Sequence, residues 1–107
     1  MKRLRLTSEK MGKVVWTRTA QEDLEEIGDY IANDSLSYAR KVVKELIARV
    51  KILKTHPLIG RVIPERPDHP NQRELIEGNY RIMYKIEEAE VFILRVLHSF
   101  RRFPDSI

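Results

Sequence analysis

Apolar residues recur along the chain with two different periods, and the change from one to the other divides it. From Ala20 onward Leu24, Ile27 and Ile31 step by three and four, which lines one face of an amphipathic helix ending near Asn33. Leu36, Ala39, Val43, Leu46, Val50 and Leu53 continue that spacing and predict a second helix, which Pro57 stops. Thr19 with Glu22 three positions on reads as a capping box for the first helix, and Asp34 or Ser35 as the cap of the second. So short a link makes the two helices an antiparallel hairpin with apolar stripes that need a surface to cover.

Period two supplies that surface. Val14, Val15 and Trp16 read as a short first strand, and three more follow at Arg73 to Ile76, Tyr80 to Ile86 and Val91 to His98. Gly78 and Asn79 mark one turn and Glu87 to Glu90 the next. In the middle strand Tyr80, Ile82, Tyr84 and Ile86 share a face, and in the last Phe92, Leu94, Val96 and His98 do. Bringing both apolar rows to one side predicts Tyr84 opposite Leu94 and Ile82 opposite Val96, with Arg81 beside Leu97 and Met83 beside Arg95 on the other side. The expected fold class is α+β: strand, helix, helix and three strands, with the helical hairpin on one face of a mainly antiparallel sheet and a mixed, basic face left open. Between helices and strands, Pro57, Gly60, Pro64, Pro67 and Pro70 exclude regular structure over most of residues 57 to 71, a long loop that could wall a site.

The chain has 107 residues, enough for one domain, and residues 1–12 show no period and are expected to form a flexible arm before a domain at 13–107. A net charge of +4 favours polyanions or an acidic protein as partner. The charge is also segregated. Glu22, Asp23, Glu25, Glu26, Asp29 and Asp34 fall in the first helix and its end, whereas Arg40, Lys41, Lys44, Arg49, Lys51 and Lys54 follow in the second, so the hairpin's edges should attract. The absence of cysteine excludes disulfides, thiol nucleophiles and thiolate metal sites, and the lack of a long apolar run points to the cytoplasm rather than a membrane. His56, His69 and His98 are scattered, and no glycine-rich phosphate loop is present, so neither metal nor cofactor is expected.

The stretch from Arg73 to Ile86, with its Tyr80-Arg-Ile-Met-Tyr84 core, then Val91 to His98 and the pair Arg101-Arg102, resembles the C-terminal signature of RelE/ParE toxins. The likeness extends upstream through the two helices, His56-Pro57 and Gly60-Arg61, covering Lys13 to Phe103. It implies a growth-arresting toxin bound by a cognate antitoxin. It leaves two target classes: RelE-like members cut messenger RNA on the ribosome, and ParE-like members inhibit DNA gyrase.

A metal-independent RNA cleavage of the first kind needs a base, an acid and cations around the phosphate. The resemblance places Arg81 at the phosphate, with Glu65 as candidate base and His98 as candidate acid; the plainer alternatives are a surface arginine, a solvated loop carboxylate and a half-buried histidine bonded to backbone. Tyr84 follows the motif but points coreward. Arg61, Arg73, Lys85, Arg95, Arg101 and Arg102 are candidate contacts to target or antitoxin, which should bind as a strand or amphipathic helix on the open face or in helix grooves. The lysine-rich patch of RelE-like nucleases is missing, with Arg61 and Arg66 among prolines in its place, so the ParE-like reading is favoured. A basic interaction domain without toxicity is the third alternative.

Overall fold

The computed structural model describes residues 13–105 and 107; the expected flexible arm at 1–12 lies outside them. Strand β1 (Lys13–Trp16) leads into helices α1 (Arg18–Ala32) and α2 (Leu36–Val50), the latter ending in a 3-10 turn at Lys51–Lys54. Strands β2 (Arg61–Val62), β3 (Gln72–Glu77), β4 (Tyr80–Glu87) and β5 (Glu90–His98) follow. They form one five-stranded sheet in the order β1-β5-β4-β3-β2, antiparallel except where β1 runs parallel to β5. This is the expected α+β class, with β2 an addition inside the proline-rich segment.

Helix α1 starts two residues earlier than the capping box predicts, with Thr17 rather than Thr19 as its cap. The Thr17 hydroxyl accepts a hydrogen bond from Ala20 N–H at 3.1 Å and donates to the Ile93 carbonyl at 2.7 Å, so one side chain both ends β1 and begins the helix. Ser35, not Asp34, caps α2, accepting from Tyr38 N–H at 3.1 Å. The buried row of α2 is Ala39, Val42, Leu46 and Val50, with Leu53 in the 3-10 turn; Val43, expected in that row, turns toward α1 instead. There it sits so close to Gly28 that a Cβ on the glycine would lie 3.3 Å from its Cγ2. The expected attraction between acidic and basic helix edges forms no ion pair. Among the described residues, Lys41 pairs with Glu45 within α2 and Arg49 reaches Glu77 on β3, but no salt bridge joins α1 to α2. Apolar burial therefore holds the hairpin to the sheet: Ala20, Leu46, Leu53, Ile82, Tyr84, Ile93 and Val96 form one fully buried cluster beneath it.

The β4–β5 register departs from the straight hairpin. Arg81 faces Leu97, Ile82 faces Val96 and Met83 faces Arg95 as expected, but Tyr84 then faces Ile93 and not Leu94. The cause is the turn. Glu88 and Ala89 occupy left-handed backbone at φ 49° and 68°, a two-residue connection that sets Glu87 opposite Glu90 and so fixes a pairing one residue out of step with the far end. A bulge absorbs the difference, and below it the faces exchange. Val91 and Ile93 now join Val96 under the helices, while Phe92, expected on that side, lies on the other beside Lys85, whose ammonium sits 5.5 Å from its ring centre.

Arg95, next to the bulge, is held by α1. Its guanidinium binds both oxygens of Asp23 on α1, at 2.7 and 3.0 Å, and Asp23 accepts a third hydrogen bond from Val96 N–H at 3.0 Å. Strand β1 pairs only as far as Ile93, so this buried carboxylate caps a stretch of β5 edge that no strand covers.

The proline-rich segment is not loose. Ile63, Arg66, His69 and Gln72 are joined by three successive turns, each closed by a backbone hydrogen bond of 2.9 to 3.1 Å. Its start is strapped to the core by Tyr84, whose hydroxyl donates to the Pro57 carbonyl at 2.7 Å and accepts from Gly60 N–H at 2.9 Å. Arg73 donates to the Gly60 carbonyl at 2.8 Å, and only glycine fits there, since a Cβ would lie 2.6 Å from both the Glu74 carbonyl and the Tyr84 hydroxyl. Tyr84 is thus a packing residue, as its coreward direction indicates.

Two stability predictions follow from these contacts. Tyr84→Phe leaves two strap groups unsatisfied and should cost about 2 kcal/mol in urea unfolding; an unchanged midpoint would show that the strap carries no stability. Asp23→Ala strands a poorly exposed guanidinium and should cost about 3 kcal/mol, and Asp23→Asn, which keeps an acceptor for Val96, should cost less. Equal losses for the two would mean that the Val96 bond is idle.

Candidate functional site

The face of the sheet away from the helices holds most of the charged candidates. On that face Ile63, Met83 and Leu97 form a second small apolar cluster, with Phe103 and Ile107 from the C-terminal tail against it. Arg81 lies on this face, as its register implies, but it does not look into solvent. It is 9% exposed.

Four residues from four segments form a chain of alternating charge around it. The Arg81 Nε donates to Glu74 Oε1 at 2.7 Å, and its two terminal nitrogens donate to the two oxygens of Glu65 at 2.7 and 3.0 Å. The other Glu74 oxygen receives Arg61, Nε at 2.8 Å and a terminal nitrogen at 2.7 Å. Glu74 itself is 1% exposed. The Phe103 ring lies over Arg81, 5.8 Å from the guanidinium carbon. The proline-rich loop does fold over the sheet to bring Glu65 to Arg81, the juxtaposition on which a base-and-cation pair would rest.

The electrostatics of the pair run against that chemistry. Hydrogen bonding from Arg81 holds the Glu65 carboxyl below the ordinary glutamate range against the opposing effect of its partial burial. A general base working near neutrality wants the opposite shift. The same contacts raise Arg81 above the usual arginine range, Glu65 contributing most. Each nitrogen of the guanidinium already donates a hydrogen bond to a carboxylate, so a phosphate approaching its remaining N–H groups would meet the negative charge of Glu65 and Glu74.

His98 stands elsewhere. It pairs across the strands with Tyr80, whereas Arg81 pairs with Leu97, and successive residues of a strand point to opposite faces. The imidazole is exposed and not half-buried as its place on the apolar row suggests. Its Nδ1 accepts from Phe100 N–H at 3.2 Å, and its ring centre is 5.4 Å from those of Tyr80 and Phe100. With Tyr30, Ile27, Tyr80, Val96 and Arg101 it lines a groove of about 510 Å³ between α1 and the end of β5. The structure therefore brings together Arg81 and Glu65 and puts His98 on the other side of the sheet.

The remaining candidate cations divide by whether the protein already uses them. Arg61 and Arg95 are held by Glu74 and Asp23, Lys85 by Glu87 at 3.4 Å, and Arg73 by the Gly60 carbonyl. The face expected to be basic and open is largely neutralised and partly covered from within. Arg101 and Arg102 differ: both are exposed, and among the described residues neither has a salt bridge or a side-chain hydrogen bond. They directly follow Phe100, which is 88% exposed. Sequence reasoning missed Glu74 and Asp23, two buried carboxylates that take up arginines; the signal was an acidic residue directly beside apolar Leu75 in a strand and another on the apolar face of its helix, between Ala20 and Ile27. No group of three or more His, Asp or Glu side chains arranged to hold a metal occurs among the described residues, and no described helix is long and apolar enough to cross a membrane.

Comparison with known proteins places this arrangement in a family. Residues 14–103 match the ParE toxin of type II toxin-antitoxin systems, parDE. A candidate toxin, Y4kP of Sinorhizobium fredii, is 34% identical over 95 residues, covering 89% of this chain and 96% of that one. Among solved structures, the chromosomal ParDE toxin-antitoxin system from P. aeruginosa contains a chain that superposes with a TM-score of 0.69 at 28% identity, over 83% of this chain and 97% of that one. The RelBE2 toxin-antitoxin complex from Mycobacterium tuberculosis gives 0.54 at 27% identity, over 80% and 88%. The chain belongs to the ParE toxin family of type II toxin-antitoxin systems, within the RelE/ParE superfamily.

Proposed function

We propose that the protein arrests growth in the cytoplasm as a ParE-like inhibitor of DNA gyrase, acting by binding and not by cutting RNA. The observation that carries this reading is the division of the nuclease candidates: Glu65 and Glu74 occupy Arg81 on one face of the sheet, and His98 lies on the other. A ribosome-dependent nuclease would need these groups around one phosphate. The match to the ParE family supports the same side of the superfamily.

The contact surface we assign to the target is the tip beyond β5, where exposed Phe100 provides apolar area and Arg101 and Arg102 provide unspent charge. An exposed aromatic anchor next to arginines is the kind of composition found at binding hot spots. The cognate antitoxin masks the same tip. Its segment fits the groove between α1 and β5, where an amphipathic helix or strand would bury Tyr30, Ile27 and Tyr80, with an acidic residue at the Arg101 end, away from Glu26.

The test uses purified gyrase and relaxed plasmid. The wild-type chain is expected to inhibit supercoiling, and the Arg101→Glu/Arg102→Glu variant to need at least about tenfold more protein, the equivalent of about 1.4 kcal/mol in binding. Primer extension on messages from cells expressing the toxin should show no new cuts. No inhibition at any excess of toxin, or cuts that vanish with Arg81→Ala, would overturn the reading.

A further inference from the structure

The outer side of the helical hairpin carries a groove that the toxin reading does not use. Gly28 and Ala32 of α1 and Val43 of α2 form its floor, and Leu36, 56% exposed, stands at one end. Its volume is about 390 Å³. The same helical faces continue past Ile47 and Leu24 to Trp16, where a second hollow of about 360 Å³ opens. The two walls are of opposite sign. Glu25 and Asp29 line the α1 side, and Arg40 and Lys44 the α2 side, and among the described residues none of the four is in an ion pair.

We propose that this face binds a second copy of the chain, making a four-helix dimer about a two-fold axis parallel to the groove. A partner of one sign would be attracted by one wall and repelled by the other. A second copy matches both. Rotation by 180° about an axis along the groove lays α1 of each copy antiparallel over α2 of the other, setting Glu25 and Asp29 of one copy against Arg40 and Lys44 of its mate twice over. A two-fold perpendicular to the groove in the plane of the interface would oppose like charges and is disfavoured. The small Ala32 keeps the groove floor low, and Leu36, Val43 and Ile47 supply the apolar seam. This surface is independent of the tip assigned to gyrase.

Sedimentation velocity on the purified full chain tests the proposal. The wild type should sediment at twice the monomer mass in low salt and shift toward monomer as salt rises. The reversal Arg40→Glu/Lys44→Glu should dissociate it by at least tenfold in concentration, and adding Glu25→Lys/Asp29→Lys to the same chain should restore the dimer. That rescue separates lost charge matching from lost folding, and circular dichroism of each variant should be unchanged. A monomer for the wild type at every concentration, or a dimer indifferent to the reversal, overturns the proposal. So does a wild-type monomer whose capture by antitoxin is abolished by Leu36→Glu, since the groove would then belong to the antitoxin.

Discussion

Burying a carboxylate in the outer layer of a sheet costs several kcal/mol unless cations meet it, and the Glu74 carboxylate is met twice, by Arg61 from β2 and by Arg81 from β4. Much of the molecule follows from that requirement. Arg61 can reach Glu74 only if the chain leaving α2 runs back along the sheet edge, which it does as β2, and Arg81 in turn draws Glu65 and the proline-rich loop onto the same face. Gly60 is the point where the chain passes the sheet edge, held by Tyr84 and Arg73 on the helix side. The four charges sum to zero, so a face that composition makes basic becomes a closed, internally satisfied layer under Phe103.

The bulge at Met83 and Tyr84 does the complementary work on the helix side. It reconciles a two-residue turn with a pairing set further up the strands and brings Val91, Ile93 and Val96 under the helices together, while Arg95 beside it is bound by Asp23. Two buried carboxylates thus absorb three of the arginines. Among the cations left without an ion pair are Arg101 and Arg102 at the tip and Arg40 and Lys44 on the outer wall of the hairpin.

Much of this fold was legible in the residues. The three-and-four stepping of α1 and α2 gave both helices, Ser35 was one of two named caps, and the strand alternation placed Ile82 against Val96 and Tyr84 toward the core. The reading lost its footing where tertiary partners decide. Thr19 and Glu22 satisfy the local rule for a helix start, yet Thr17 wins because its hydroxyl also finds Ile93, a residue 76 positions away. The bulge was invisible because Val91 to His98 is apolar on both rows, so either register buries grease, and only the left-handed turn at Glu88 and Ala89 breaks the tie. Arg81 was singled out as an arginine on the open face of its strand, but it is buried there, and its ion partners come from β3 and from a loop whose path depends on prolines and Gly60, which no spacing rule encodes.

The account turns on Arg81 serving as an internal clamp, with Glu74 as the group that demands it. Urea unfolding of Arg81→Ala, Glu65→Gln and the double variant Glu74→Leu/Arg81→Leu, read beside growth arrest on expression, tests this most directly. Arg81→Ala should lose about 3 kcal/mol and Glu65→Gln, whose carboxylate is partly solvated, well under half of that; the paired apolar replacement should recover most of the loss. Wild-type stability of Arg81→Ala together with abolished growth arrest would contradict it, because the arginine would then be spent on a target and not on the fold.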